Sequence, residues 1–312
     1  MLPHALLLVA VLIWSGNTVI SKIMLRQMTP EELALVRFSL GVLAFHLPVF
    51  LIVRRHGSAL DPADWRRLLI MGAVGAGTSM LFFTMGLNLM PATYVSLVNM
   101  TAPPLTALLA WLLFREIIGW TRAAGTAIAF GGAAILVSGG QLANPQGGFL
   151  AGAALLIASQ LAWAVYTLLG KPLIARRSPL IVMSAAHVFA LLSLWPLSAP
   201  IGGWSFLWHM GDWSLGIWLG MVYLGIVNTG LSQVMFLYAL REVSTAQAVS
   251  YSYLQPPMTA LMAMVVLGEQ VTLLTLGCGV VIIFGLWLVN RPRGGRARPV
   301  RAAVSRSRVG DA

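Results

Sequence analysis

Charge is what this chain has least of. Only 9% of its 312 residues are Asp, Glu, Lys or Arg, and 58% are apolar; soluble domains carry roughly a quarter charged residues. That scarcity, with long uncharged stretches, excludes an ordinary soluble domain and points to a polytopic membrane protein. Carboxylates are rarer still. The nine are Glu31, Glu32, Asp61, Asp64, Glu116, Asp212, Glu242, Glu269 and Asp311, all at the ends of apolar runs, in connections or in the C-terminal tail. None stands mid-run, so the usual carboxylate relay for proton or sodium coupling has no residue to use. Coupling would fall to His187, His46 or the solute itself, and movement down a gradient stays open. The single cysteine, Cys278, excludes an internal disulfide and a cysteine-based metal cluster; a small core residue in a helix is its ordinary role. There is no paired catalytic carboxylate, no HExxH, no GxSxG and no phosphate-cradling loop. No enzyme, metal or cofactor is expected.

What is present is apolar and periodic. Ten runs approach the ~20 residues needed to cross a bilayer: 4–24, 31–53, 67–89, 92–114, 120–140, 149–170, 179–199, 215–239, 244–267 and 271–290. The first run lacks a basic leader and carries Trp14, Asn17 and Lys22 where a cleavage site would need small residues, so it reads as a helix rather than a signal peptide. The net charge of +11 is concentrated in the tail, where Arg291, Arg293, Arg296, Arg298, Arg301, Arg306 and Arg308 supply seven of the twenty basic residues. This tail, 291–312, is expected to be disordered and cytoplasmic, touching anionic headgroups rather than nucleic acid. With the N-terminus inside, the inner loops hold Arg54, Arg55, Arg66, Arg67, Arg115, Arg122, Lys171, Arg176, Arg177 and Arg241, while the outer loops hold Lys22 and Arg26. The positive-inside rule then places both termini in the cytoplasm of a cell (inner) membrane protein.

One motif occurs twice. Pro103-Pro104-Leu105-Thr106-Ala107-Leu108-Leu109-Ala110, ending in Glu116, matches Pro256-Pro257-Met258-Thr259-Ala260-Leu261-Met262-Ala263, ending in Glu269, at a constant offset of 153, with 7 of 14 positions identical. Trp14, Thr18 and Lys22 match Trp163, Thr167 and Lys171 at an offset of 149. The chain therefore divides into a first repeat (1–140), a second (149–290) and the tail. Five helices per repeat is an odd number, so the second copy lies upside down. The fold class is all-α: ten transmembrane helices as two inverted five-helix repeats, the arrangement of secondary transporters with a midplane site.

The double prolines fall mid-span, where they kink or interrupt each helix. They read as hinges beside a solute cavity or, more plainly, as packing features. The amides and hydroxyl Asn17, Asn99, Thr101, Gln160, Asn228, Gln233 and Gln255 stand at similar depth and face the interior, either toward a solute or in helix–helix hydrogen bonds. Trp14, Trp163, Tyr166, Tyr251 and Tyr253 sit away from the interfacial belts; they wall a cavity or pack. Arg37, about two turns into its span, presents a guanidinium to a solute anion, or else snorkels outward or pairs with Glu31 or Glu32. His187, near the counterpart position, is a ligand contact or a neutral core residue. Glu116 and Glu269 look like gate or turn residues. Gly72–Gly77 and Gly131-Gly132 read as close helix packing.

Trp14-Ser15-Gly16-Asn17…Lys22, Pro30…Arg37 and the two proline helices ending in Glu116 and Glu269 resemble the EamA type of the drug/metabolite transporter superfamily, over nearly all of 1–290. The resemblance implies ten helices in inverted repeats, a central cavity lined mainly by helices other than the fifth and tenth, and export or exchange of small metabolites, often amino acids. Val165-Tyr166 replaces Gly16-Asn17 in the second repeat, against a symmetric site. The expected substrate-binding set is Trp14, Asn17, Arg37, Asn99, Gln160, Trp163, Tyr166, His187, Asn228, Tyr251 and Gln255, with hinges at Pro103, Pro104, Pro256 and Pro257. The expected partners are a small-molecule solute and the bilayer, with no nucleic acid, and the sequence does not choose between monomer and homodimer. Competing readings are a broad drug or nucleobase exporter and a non-transporting membrane protein, either an intramembrane enzyme or a sensor.

Overall fold

The computed structural model describes residues 2–55, 61–115, 119–143, 148–239 and 251–290, and among these every regular element is helical. In order they are α1 (Leu2–Met24), α2 (Pro30–Val53), α3 (Pro62–Leu89), the pair α4 (Ala92–Asn99) and α5 (Ala102–Phe114), α6 (Trp120–Ala143), α7 (Phe149–Ile174), α8 (Pro179–Ile201), α9 (Leu215–Phe236), α10 (Gln255–Leu267) and α11 (Leu273–Asn290). Among the described residues seven spans are long and apolar enough to cross a bilayer: α1, α2, α3, the α4–α5 pair as Ala92–Leu113, α7, α8 and α9. The runs expected at 120–140, 244–267 and 271–290 appear as shorter apolar helices, Ala123–Gly139, Gln255–Leu267 and Leu273–Val289. Residues 244–250, Glu116, Arg241, Glu242 and the basic tail lie outside the described residues.

Helix starts follow from local chemistry. Thr29 and Glu32 form a capping box at α2: the Thr29 hydroxyl accepts from the Glu32 N–H at 3.3 Å, and the Glu32 carboxylate accepts from the Thr29 N–H at 2.8 Å. Pro30 fills the first helical position, where no intrahelical donor is needed. Asp61, Pro62 and Asp64 repeat this device at α3. The same logic explains the double prolines. They do not kink a continuous helix; the span stops at Met100–Thr101, and Pro103 and Pro104 lie in the first turn of α5. Pro256 and Pro257 likewise begin α10 after a turn at Tyr253–Leu254. The alternatives of kink and interruption therefore resolve to interruption, because a first turn tolerates residues lacking an N–H. α5 and α10 also end alike, in left-handed Arg115 (φ 51°) and Gly268 (φ 70°), 153 residues apart.

Helix ends need partners for their free backbone groups, and other helices provide them. Lys22 of α1 donates to the carbonyls of Leu87 (2.7 Å), Asn88 (3.1 Å) and Met90 (2.9 Å) at the end of α3. Glu269, just past α10, accepts from the N–H of Ala92 (2.6 Å) and Thr93 (3.0 Å) at the start of α4. It is thus a capping residue supplied by another helix, in keeping with a turn residue rather than an ion ligand. At the other end of α3, Arg177 reaches Asp61 (2.9 Å) and buried Asp64 (3.3 Å).

Glycine sets the closest helix approaches. A Cβ on Gly125 of α6 would stand 2.6 Å from the Gly285 carbonyl of α11, and one on Gly285 would stand 2.7 Å from the Gly125 carbonyl. Gly132 abuts Ile282 and Cys278, whereas Gly131 has open space around it, so only one of that pair is a packing residue. Gly72 meets the backbone of Ala186 and Ala190 in α8, and Gly225 meets that of Arg37 and Gly41 in α2. Three π turns, Val42–His46 in α2, Met71–Gly77 in α3 and Tyr223–Leu231 in α9, were not legible from composition; two of them carry these contact glycines. Overpacking costs about 1–3 kcal/mol and more where backbone must move. Gly285→Leu is therefore expected to lower the thermal midpoint of the purified protein markedly, while Gly131→Leu leaves it near the parent value.

Candidate functional site

A cavity of about 490 Å³ lies among α1–α5 and α7–α9, with Ser252, Tyr253 and Gln255 completing its wall. α6 contributes none of its lining and α11 only Leu286, as the family resemblance implies for the fifth and tenth helices.

Arg37 is the one charged side chain lining it among the described residues, and it is 1% exposed. Its η nitrogens donate to the Asn17 side-chain oxygen at 2.6 Å and the Ser21 hydroxyl at 3.0 Å. The Nε–H has no hydrogen-bond partner. Among the described residues no ion pair joins Arg37 to a carboxylate: Glu32 is taken by Thr29, Ser205 (2.6 Å) and His209 (3.4 Å). The outward-snorkelling and Glu-pairing alternatives therefore fall. Packing explains why, since the Arg37 stretch of α2 lies against Gly225 of α9, and α1 presents Asn17 and Ser21 beside it.

Two amides far apart in sequence are joined, the Gln160 NH₂ donating to the Asn99 oxygen at 2.7 Å. Asn99 is the last residue of α4, so the helix interruption places its side chain in the cavity wall. Asn228 lies in the α9 π turn with its side-chain oxygen buried and unpartnered. The Trp14 indole donates to the Ser232 hydroxyl at 2.9 Å, Ser232 donates in turn to the Asn228 carbonyl, and the Trp14 ring packs on Phe236 at 5.3 Å. Gly16 admits the Tyr223 hydroxyl, which would stand 2.5 Å from any Cβ there and donates to the Ile13 carbonyl at 2.8 Å.

Of the expected set, Trp14, Asn17, Arg37, Asn99, Gln160, Trp163, His187, Asn228 and Gln255 all line the cavity, as do Gln233, Tyr253 and Pro103. Tyr166 and Tyr251 do not. Tyr166 stacks on Trp163 (4.7 Å, 13°) and backs onto Gly75, whose missing side chain leaves room for it. Tyr251 bonds the His4 ring at 2.8 Å. Thr101 is consumed by the Val98 carbonyl at 2.7 Å, and Pro104, Pro256 and Pro257 are not part of the lining. Both tyrosines therefore belong to helix packing rather than to the cavity wall.

The sequence reading missed Ser79, Phe83, Ser159 and Phe236, which also line the cavity. Ser79 and Ser159 are 3.1 Å apart and join α3 to α7. An indication was present: Ser79 and Phe83 recur as Ser232 and Phe236 at the same offset of 153.

An all-helical fold with several apolar spans around one polar-and-aromatic cavity defines a multi-pass membrane carrier. The sequence profile of the EamA-like transporter family matches residues 1–138 and again 150–291, and the chain belongs to that family. It is 27% identical over 288 residues to an uncharacterized transporter of Archaeoglobus fulgidus, covering 92% of this chain and 96% of the relative. It is 29% identical over 245 residues to a probable terminal-alkyne amino-acid exporter of Streptantibioticus cattleyicolor, covering 75% and 76%. A solved crystal structure shares the fold with a TM-score of 0.60 at 20% identity, covering 92% of this chain and 94% of that one. These named relatives are transporters, not enzymes.

Removing an acceptor from a buried charged donor costs about 1–3 kcal/mol. Asn17→Ala is expected to destabilise the solute-free carrier by that amount, seen as a lower thermal midpoint, with Ser21→Ala producing a smaller drop.

Proposed function

We propose that this carrier moves small organic solutes, amino acids or related zwitterionic and anionic compounds, outward by alternating access around the cavity. The observation that carries the reading is Arg37: a guanidinium held by Asn17 and Ser21 in the cavity wall, buried and unmatched by any carboxylate among the described residues. A buried cation without a counter-charge is costly in a membrane, and a solute carboxylate relieves that cost with a charge-assisted hydrogen bond. Trp14, Phe236, Phe83 and Trp163 offer an apolar surface for the remainder of the solute. The amino-acid exporter among the relatives supports the same class.

On this reading the chain has ten spans in two inverted repeats, 1–140 and 149–290, with both termini cytoplasmic in the cell membrane. Several features support the repeat. The family profile matches twice. The close pair Gly125–Gly285 exchanges with Cys278–Gly132 under the offset of 153. The packing of Gly72 on residues 186–190 mirrors that of Gly225 on 37–41. The basic loops and the tail support the orientation, and the interruptions before Pro103 and Pro256 are the bending points of the cycle.

The test is flux in proteoliposomes against a panel of amino acids, carboxylates, amines and cationic drugs. Arg37→Ala is expected to abolish flux of carboxylated solutes and spare any cationic substrate; equal loss for both classes would overturn the carboxylate reading, and no flux of any compound would count against transport. Replacing Pro103-Pro104 or Pro256-Pro257 with Ala-Ala is expected to preserve membrane insertion and slow flux severalfold. Unchanged flux in both would refute the hinges.

A further inference from the structure

In the cavity wall and just behind it stands a pair of imidazoles, His187 lining the cavity and His46 backing it. His187 of α8 and His46 of α2 stack with ring centroids 4.2 Å apart and planes 15° from parallel. Phe38 covers the other face of His187 at 5.5 Å and 11°. The His187 Nδ1 lies 2.7 Å from the Met183 carbonyl. A carbonyl only accepts, so Nδ1 carries the hydrogen and Nε2 keeps the lone pair. His187 thus brings a free basic nitrogen to the residues lining the cavity, while fully buried His46 lies behind it with its Nδ1 3.3 Å from the Ser184 hydroxyl. His46 closes the α2 π turn, whose extra residue re-aims the side chains that follow. The α8 stretch bearing His187 is also clamped by Gly72 of α3 through the backbone of Ala186 and Ala190. The stack is built into the contact between α2 and α8.

We propose that His187, backed by His46, is a proton-binding site of the cavity wall, and that the carrier takes up a proton together with each carboxylate solute. The sign of this coupling rests on the carboxylate reading of Arg37. An imidazolium at His187 would lie between two π faces, Phe38 and neutral His46, which favours a cation. Two charged rings at 4.2 Å would repel, so the pair holds one proton. The pair is met by Phe38 and Phe45 from α2, Tyr166 from α7, Ser184 from α8 and Thr229 from α9, with Arg37 elsewhere in the wall of the same cavity; the α3 segment Met71–Gly77 presents no titratable side chain. No Asp or Glu lines the cavity among the described residues. A proton on His187 therefore finds no resident anion and adds to the positive field of Arg37. A solute carboxylate is stabilised by both, and linkage makes the effect reciprocal: proton binding tightens carboxylate binding, and carboxylate binding draws in the proton. The proton enters the Nε2 lone pair from cavity water and leaves by the same atom, with no other bond made or broken.

Calorimetry on the full chain in nanodiscs tests this, with 3-phenylpropanoate as probe, an anion throughout the range used. Titrations in two buffers of different ionisation enthalpy count the protons bound per ligand. The expected result is proton uptake near neutral pH and an affinity that rises toward acid by up to about tenfold per pH unit. His187→Gln is expected to take up no proton and to hold the probe with the weaker, pH-independent affinity of the wild type at alkaline pH. Arg37→Gln is expected to lose the probe at every pH. Wild-type binding without proton uptake, or undiminished uptake in His187→Gln, overturns the coupling and leaves the carboxylate site standing. Failure of the wild type to bind the probe at any pH removes both.

Discussion

The interaction on which the rest depends is the three-residue contact that holds the Arg37 guanidinium between Asn17 and Ser21. Hydrocarbon offers a cation nothing, so the charge must either leave the layer or be enclosed by protein and cavity. Here it is enclosed, and the surrounding structure follows from that choice. Asn17 and Ser21 lie on α1 one turn apart, so α1 must pack against α2 along that face. Gly225 lets α9 approach the Arg37 backbone closely, shutting the guanidinium away from lipid. Glu32, Asp61, Asp64 and Glu269 stay at helix ends, where they cap backbone or pair with Arg176, Arg177 and His209, and among the described residues no carboxylate lines the cavity.

A second constraint is that helix ends expose backbone groups needing partners. The chain meets it with long-range side chains rather than local ones. Lys22 closes the end of α3, Glu269 closes the start of α4, and Ser15 reaches the Gln255 carbonyl at 3.3 Å beside the second break. These contacts link elements far apart in sequence, so closing the free helix ends also fastens neighbouring helices together.

Much of this was legible in the sequence because the relevant physics is one-dimensional. Run length located the seven long spans among the described residues, proline marked two interruptions, and the scarcity of charge made Arg37 conspicuous. What was not legible depends on which way a side chain faces. Tyr166 and Tyr251 face away from the cavity, since long apolar helices bury residues all round and periodicity no longer separates cavity from core. The partners of Arg37 come from a different helix, and Ser79 and Ser159 are unremarkable hydroxyls until α3 and α7 meet. The π turns also shift register within a helix, and nothing in the composition of Val42–His46 announces one.

Cys278 gives the molecule a practical property. It is the only thiol in the chain, and it lies 5% exposed in the α6–α11 seam with its carbonyl 3.4 Å from the Cβ position of Gly132. A hydroxyl or methyl in its place adds no bulk to that seam. A cysteine-free version is therefore one small substitution away, and reporter groups attached in pairs, one near the α4–α5 interruption and one near the start of α10, would report directly on the distance between those two points.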